Sequence, residues 1–167
     1  MQSLLTKKIL FGLGITFVAS ILSCTSLRQP PNLVMDVLSV EGRTIAESVF
    51  RYQFERVRLK DLPQLYFISL GDSKDPTEDF SRKFEKHSDP VKKYSDSAYQ
   101  NGIVTEKNTE QRGIRLEVKS IRMINSFEVE VEGSWFAGHE NYQEQIFRVH
   151  KENGRWIVRN VKGILDP

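Results

Sequence analysis

From Gly113 onward the chain alternates apolar and polar positions with a period of two. Ile114, Leu116 and Val118 alternate with Arg115, Glu117 and Lys119, which predicts a strand with one buried face. Ile121 and Met123 continue one step out of phase, so Lys119-Ser120 predicts a β-bulge. Phe127, Val129 and Val131 then alternate with Glu128, Glu130 and Glu132. A three-residue turn over Ile124, Asn125 and Ser126 sets Met123 opposite Phe127, Ile121 opposite Val129 and Arg122 opposite Glu128. Gly138 to Asn141 predicts the next turn. Gln143 to Lys151 predicts a third strand, with Phe147 and Val149 on one face. Asn153-Gly154 is a two-residue hairpin signal. The fourth strand, Arg155 to Lys162, carries Trp156 and Val158 on one face and Ile157 and Val161 on the other. That register sets Arg148 against Arg159, a like-charge conflict.

The first half of the domain follows a helical period. Ile45, Ala46, Val49, Phe50, Phe54 and Val57 form one apolar face, interrupted only by Gln53. Glu47 and Arg51 make an i,i+4 pair on the other face, and Asp61-Leu62-Pro63 stops the helix. Before it, Leu33 to Val40 predicts a short strand or a first helical turn. After it, Leu65 to Leu70 reads as a buried strand. Asp75-Pro76-Thr77-Glu78 predicts a short helix capped by Asp75, with Phe80 and Phe84 on one face and Pro90 at its end. Asn101-Gly102 predicts a small hairpin between Ala98-Tyr99 and Ile103-Val104.

These elements predict an α+β domain over 33–167: an N-terminal helix packed on a curved antiparallel meander. The plan resembles the cystatin-like and NTF2-like group of folds, a likeness of architecture only.

Residues 1–32 read differently. Lys7 and Lys8 precede an uncharged, largely apolar run from Ile9 to Leu22. That run is short of the roughly 20 residues a spanning helix needs. A basic start, a short apolar run and a small residue at the cut predict a signal peptide over 1–23. Ile21-Leu22-Ser23-Cys24 resembles the lipobox of bacterial lipoproteins. The resemblance implies cleavage between Ser23 and Cys24 and acyl chains such as palmitate on Cys24. Residues 24–32, with Arg28, Pro30 and Pro31, then read as a lipidated cysteine and a tether. Thr25, a residue other than Asp after the lipidated cysteine, resembles outer-membrane lipoproteins of enteric-type sorting, which implies the outer membrane, facing the periplasm, in a source with two membranes.

Composition changes the picture in two ways. Cys24 is the one cysteine, so no disulfide can form within the chain. Of the 24 Lys and Arg, Lys7 and Lys8 lie in the signal, which leaves 22 basic against 22 acidic residues in the mature chain. This balance argues against nucleic acid as a partner and against electrostatic attachment to acidic lipid.

Candidate chemistry is sparse. Asp72, Asp75 and Asp79 form the densest acidic cluster, but Thr77 stands where a calcium loop needs Gly, so turn-making and capping explain it. His87, His139 and His150 share no metal-ligand spacing. His139-Glu140 reads as a solvated turn, and His87 as a charge near a helix end. Trp135, Phe136, Tyr142 and Trp156 read as core, with a lined pocket as the alternative. Glu128, Glu130 and Glu132 read as a cross-strand polar surface or a docking patch. No site for a metal or cofactor is predicted.

Five stretches, VFRYQF at 49–54, YFISLGDSKDP at 66–76, VKKYS at 91–95, VEVEG at 129–133 and GRWIV at 154–158, resemble a widespread family of bacterial proteins, many of them exported, that has no established activity. The resemblance implies a single domain and carries over no catalytic residue. The sequence therefore predicts a lipid-anchored cell-envelope protein acting as a binding or interaction module toward an envelope protein or ligand. The alternative is a ligand-binding or enzymatic pocket between helix and sheet, marked by Tyr52, Trp135 and Tyr142.

Overall fold

The computed structural model describes residues 33–163. The signal, the cleavage at Ser23-Cys24, the lipidated Cys24 and the tether lie outside the described residues. The elements, in order, are β1 (Leu33–Met35), α1 (Val40–Arg56), β2 (Tyr66–Leu70), α2 (Glu78–Ser81), β3 (Val91–Lys93), β4 (Ser97–Gln100), β5 (Ile103–Glu106), β6 (Ile114–Asn125), β7 (Glu128–Gly138), β8 (Asn141–Glu152) and β9 (Arg155–Gly163). No described helix is long and apolar enough to cross a membrane.

The α+β plan of a helix on a curved antiparallel meander, cystatin-like or NTF2-like, is overturned. The described residues are mostly β, 49% strand against 21% helical, in one nine-stranded mixed sheet. β6, β7, β8 and β9 do run antiparallel in sequence order. But β2 lies parallel to both β6 and β3, β1 pairs with the far half of β6, and the β4–β5 hairpin joins the end of β7. A strand's own residues set its faces but not its neighbours, so these additions are invisible to local periodicity.

The helix expectation holds on its buried face. Ser39 caps α1, its Oγ accepting from Gly42 N at 3.0 Å. Ile45, Ala46, Val49, Phe50 and Phe54 are buried in one cluster with Leu116, Val118, Ile121, Val129, Val131 and Phe147. Gln53 is buried among them and donates to the Ser134 carbonyl at 3.4 Å. β2 is buried along its whole length, because Tyr66, Ile68 and Leu70 join this core while Phe67 packs with Leu65 and Val104 on the opposite face.

Two registers differ from expectation. The β6–β7 turn has two residues, Ser126 and Phe127, and Ile124 is an extra residue between Met123 and Asn125, so Met123 pairs with Val129, Ile121 with Val131 and Arg122 with Glu130. A slip of two keeps every side chain on its face. The bulge between Val118 and Ser120 is present. A further irregularity, between Arg148 and Val149 where β8 pairs with β9, sets Val149 opposite Val158 and Arg148 opposite Asn160. Arg159 is the extra residue, so Arg148 and Arg159 never face each other, and Val161 is opposite Phe147, packed on the core. Both predicted hairpins form with left-handed backbones, Asn101 and Gly102 at φ 51° and 81°, Asn153 and Gly154 at φ 49° and 77°.

Candidate functional site

The face of the sheet turned away from α1 carries the polar half of each alternation. Registers place Ser69, Glu117, Ser134 and Glu144 in one row across four strands, and Phe67, Arg115, Phe136 and Tyr142 in the next. A cleft of about 170 Å³ opens over these rows, completed by Lys119, by Ser73 from the loop after β2 and by Tyr94 from the 3-10 turn Tyr94–Asp96.

Each polar group in the cleft has a distinct environment. The Arg115 guanidinium stacks 4.6 Å from the Tyr94 ring centre, and its Nε donates to Ser97 Oγ at 2.8 Å. It makes no ion pair with any described residue, which leaves the two terminal nitrogens of its fork for a ligand. Glu117 Oε1 accepts from Ser73 N at 2.7 Å. Lys119 is ion-paired with Glu144, and Tyr142 donates its hydroxyl hydrogen to the same carboxylate. Ser69 is 0% exposed, and its Oγ has no hydrogen-bond partner. A buried hydroxyl without a partner loses its water hydrogen bonds uncompensated.

The Lys119–Glu144–Tyr142 group is internally settled. Burial works against the Lys119 charge, but the bond to Glu144 and the neighbouring carboxylates outweigh it and raise its pKa. The Lys119 bond, then the Tyr142 bond, hold the Glu144 carboxyl below its usual range. Burial, then the bond to Glu144, push the Tyr142 phenol up. Near neutral pH the group is a closed ion pair with a neutral phenol. Arg115 and Ser69 are the donors with capacity to spare, one a charged planar group and the other a hydroxyl, while Glu117 keeps acceptor capacity beyond its bond from Ser73 N. Together the two donors suit a carboxylate, which a guanidinium grips through two parallel hydrogen bonds.

A second cavity, about 240 Å³, lies between the end of α1 and the core-side face of the sheet. Arg56, Val57, Leu59, Trp135, Gln143 and Gln145 line it. Trp135 Nε1 and Gln145 Nε2 both donate to Gln143 Oε1, at 3.3 and 3.1 Å, while Gln145 Oε1 is buried without a partner. Of the three aromatics expected to share a helix–sheet pocket, Trp135 lines this cavity and Tyr142 lines the outer cleft. Tyr52 instead packs edge-on to Phe147 at 6.1 Å, with the Arg56 guanidinium 3.9 Å above its ring.

The remaining candidates resolve into structure. Thr77, not Asp75, caps α2, accepting from Phe80 N at 3.4 Å. Asp75 accepts from Ser95 N at 2.8 Å, Asp79 pairs with Arg82, and Asp72 sits in a turn at φ 50°. Among the described residues no group of three or more His, Cys, Asp or Glu could hold a metal ion. His139 and Glu140 are exposed in the β7–β8 turn, and the His87 ring packs 4.6 Å from the Phe54 ring. Trp156 is buried under the Lys151 ammonium. The glutamate row is a cross-strand polar surface: Arg148 bridges Glu128 and Glu130 at 2.8 Å each, Arg122 also pairs with Glu130, and Ser120 Oγ donates to Glu132 at 3.2 Å.

Sequence reasoning missed Arg115, Ser69 and Lys119 as a group. Its one available signal was Ser69, the polar interruption in an otherwise apolar strand. No family model, curated protein or solved structure matches the chain.

Proposed function

We propose that the chain is a lipid-anchored protein of the bacterial cell envelope, held at Cys24, whose domain is a binding module rather than a catalyst. The observation that carries the reading is the order Lys7-Lys8, an uncharged run to Leu22, then Ser23-Cys24. Two or three acyl chains on one cysteine make a stable anchor where one chain binds only marginally. Thr25 favours the outer membrane, facing the periplasm, where the source has two membranes. The test is metabolic labelling with a palmitate analogue and membrane fractionation of the full chain. Label and membrane recovery that vanish in Cys24→Ala support the anchor, and label that persists in that variant removes it.

The outer cleft is the binding site in this reading, and its ligand is a small molecule or terminal group bearing a carboxylate. The support is the uncommitted Arg115 fork beside the unpartnered Ser69 hydroxyl. Benzoate titrated into the full chain in detergent, followed by saturation-transfer NMR, tests it. Loss of the signal in both Arg115→Gln and Ser69→Ala, with unchanged circular dichroism, supports the site. A signal that survives in both variants excludes it.

The Trp135 cavity supports a second reading, a small apolar ligand whose donor reaches Gln145 Oε1. Quenching of Trp135 fluorescence that Gln145→Leu abolishes would favour it.

A further inference from the structure

We infer that the end of the domain from which the tether leaves is a lipid-contacting surface, seated at the headgroup–acyl boundary of the membrane that holds Cys24. The inference rests on the anchor reading above and concerns a different part of the molecule.

Register fixes where the tether leaves. β1 runs antiparallel to β6, with Met35 opposite Ile121, Val34 opposite Arg122 and Leu33 opposite Met123. The N-terminal end of β1 therefore lies toward the β6–β7 turn at Ser126-Phe127. The start of α1 lies at the same end. Lys151 N donates to the Phe127 carbonyl at 2.8 Å, and Lys151 Nζ pairs with Glu41 at 2.9 Å, one residue after Val40.

Five of the nine exposed large apolar side chains among the described residues belong to these segments: Leu33, Val34, Leu38, Val40 and Phe127. Val34 is 70% exposed, Val40 77% and Phe127 67%. The fold does not need the side chains of Phe127 and Val40. The turn is held by Asn125 Oδ1, which accepts from Phe127 N at 2.9 Å, whatever the side chain of residue 127. The first residue of α1 is free of the core, the helix being capped by Ser39.

Three features choose lipid as the occupant. Residues 25–32 join Cys24 to Leu33, and a chain of that length reaches at most ~30 Å fully extended. A contact this close to its anchor forms within one assembly, so modest apolar partition suffices. At this end Lys151 is paired with Glu41 at 2.9 Å, and the Arg43 guanidinium donates to the Leu38 carbonyl at 2.9 Å, so the two do not form the basic cluster that acidic lipid requires. The contact is therefore apolar, needs no acidic lipid and is insensitive to salt.

The experiment uses the full chain, acylated in cells and reconstituted into phosphatidylcholine vesicles. Once its lipid blocks Cys24, a single introduced cysteine takes an environment-sensitive NBD label cleanly. Ser126→Cys places the label beside Phe127. Asn101→Cys places it on the β4–β5 turn at the opposite end, where Ile103 pairs with Gly138. The expected result is several-fold brighter, blue-shifted emission at residue 126, quenched by doxyl lipid and unchanged by salt, with water-like emission at residue 101. Adding Phe127→Ser to the Ser126→Cys chain removes the shift while circular dichroism stays the same. Water-like emission at both positions in a chain whose intact mass includes acyl chains overturns the inference and leaves the anchor standing. An intact mass without acyl chains overturns the anchor reading, and the inference with it.

Discussion

Arg159 pairs with Glu152 across the β8–β9 hairpin because it is the one residue of its strand without an opposite number. Deleting Arg159 removes the bulge yet keeps Val149 with Val158, Arg148 with Asn160 and Phe147 with Val161, because the pairs on either side are already in phase. The deletion variant is expected to fold, with Val161 still on the core face and a melting temperature within about 5 °C of the parent. Thermal unfolding followed by circular dichroism checks this. Loss of the cooperative transition would show that the bend, and not only the register, is required.

Gly133 lies where two strands and an aromatic ring meet. A Cβ built there would stand 2.6 Å from the Glu117 carbonyl oxygen and 3.2 Å from Phe147 Cε2. The carbonyl belongs to the adjacent strand and cannot move without breaking the β6–β7 ladder beside the bulge. Gly133→Ala is expected to destabilise by about 1–3 kcal/mol, the usual cost of overpacking a filled interior. Urea denaturation measures it, and an unchanged midpoint would mean that β7 moves freely at this point.

What the sequence made legible were features written within a few residues of one another. The face of α1, the bulge at Lys119 and the turns at Asn101-Gly102 and Asn153-Gly154 follow from period and turn chemistry alone. Met123 opposite Val129 could not be separated from Met123 opposite Phe127, since a slip of two leaves the apolar face apolar. The parallel pairing of Ser69 with Glu117 joins segments far apart in the chain, and no local signal in Leu65 to Leu70 names that partner. The outer cleft was lost with it, because Ser69 and Arg115 become neighbours only through that pairing. The Arg148–Arg159 conflict was the useful error, marking the place where regular alternation had to break.

Several carboxylates predict acid sensitivity. Lys92, then Thr109, hold Glu106 below its usual range against its burial. Burial of Glu47 works the other way, but its bonds from Lys83 and Arg51 outweigh it and also lower the pKa. A carboxyl lowered by folding stabilises fully above its unfolded value, about 4.3 for glutamate, and the contribution is lost as pH falls through the lower folded value. The melting temperature is expected to be level near neutrality and to drop below about pH 4. Glu106→Gln should melt lower than the parent at neutral pH and lose less on acidification. A variant whose acid limb parallels that of the parent would show that Lys92 and Thr109 do not favour the ionised form.

Tyr66 closes the end of α1 from the neighbouring strand. Its hydroxyl donates toward the Phe54 and Val57 carbonyls, at 3.1 and 3.0 Å, two groups at a helix terminus that the helix itself leaves without a partner. Its ring is fully buried, 4.8 Å from that of Phe54, and burial pushes the phenol pKa up, so the hydroxyl keeps its proton. Tyr66→Phe preserves the ring packing and removes only the donor. Leaving buried acceptors unsatisfied costs about 1–3 kcal/mol, more than a hydrogen bond contributes on balance. The variant is therefore expected to melt several degrees lower, with faster amide exchange at Val57, whose N–H bonds the Gln53 carbonyl at 2.8 Å in the last turn. Exchange at Val49, in the middle of the buried helix face, should accelerate only as far as global stability falls. Equal acceleration at both positions beyond that amount would mean that Tyr66 holds the whole helix against the sheet rather than capping its end.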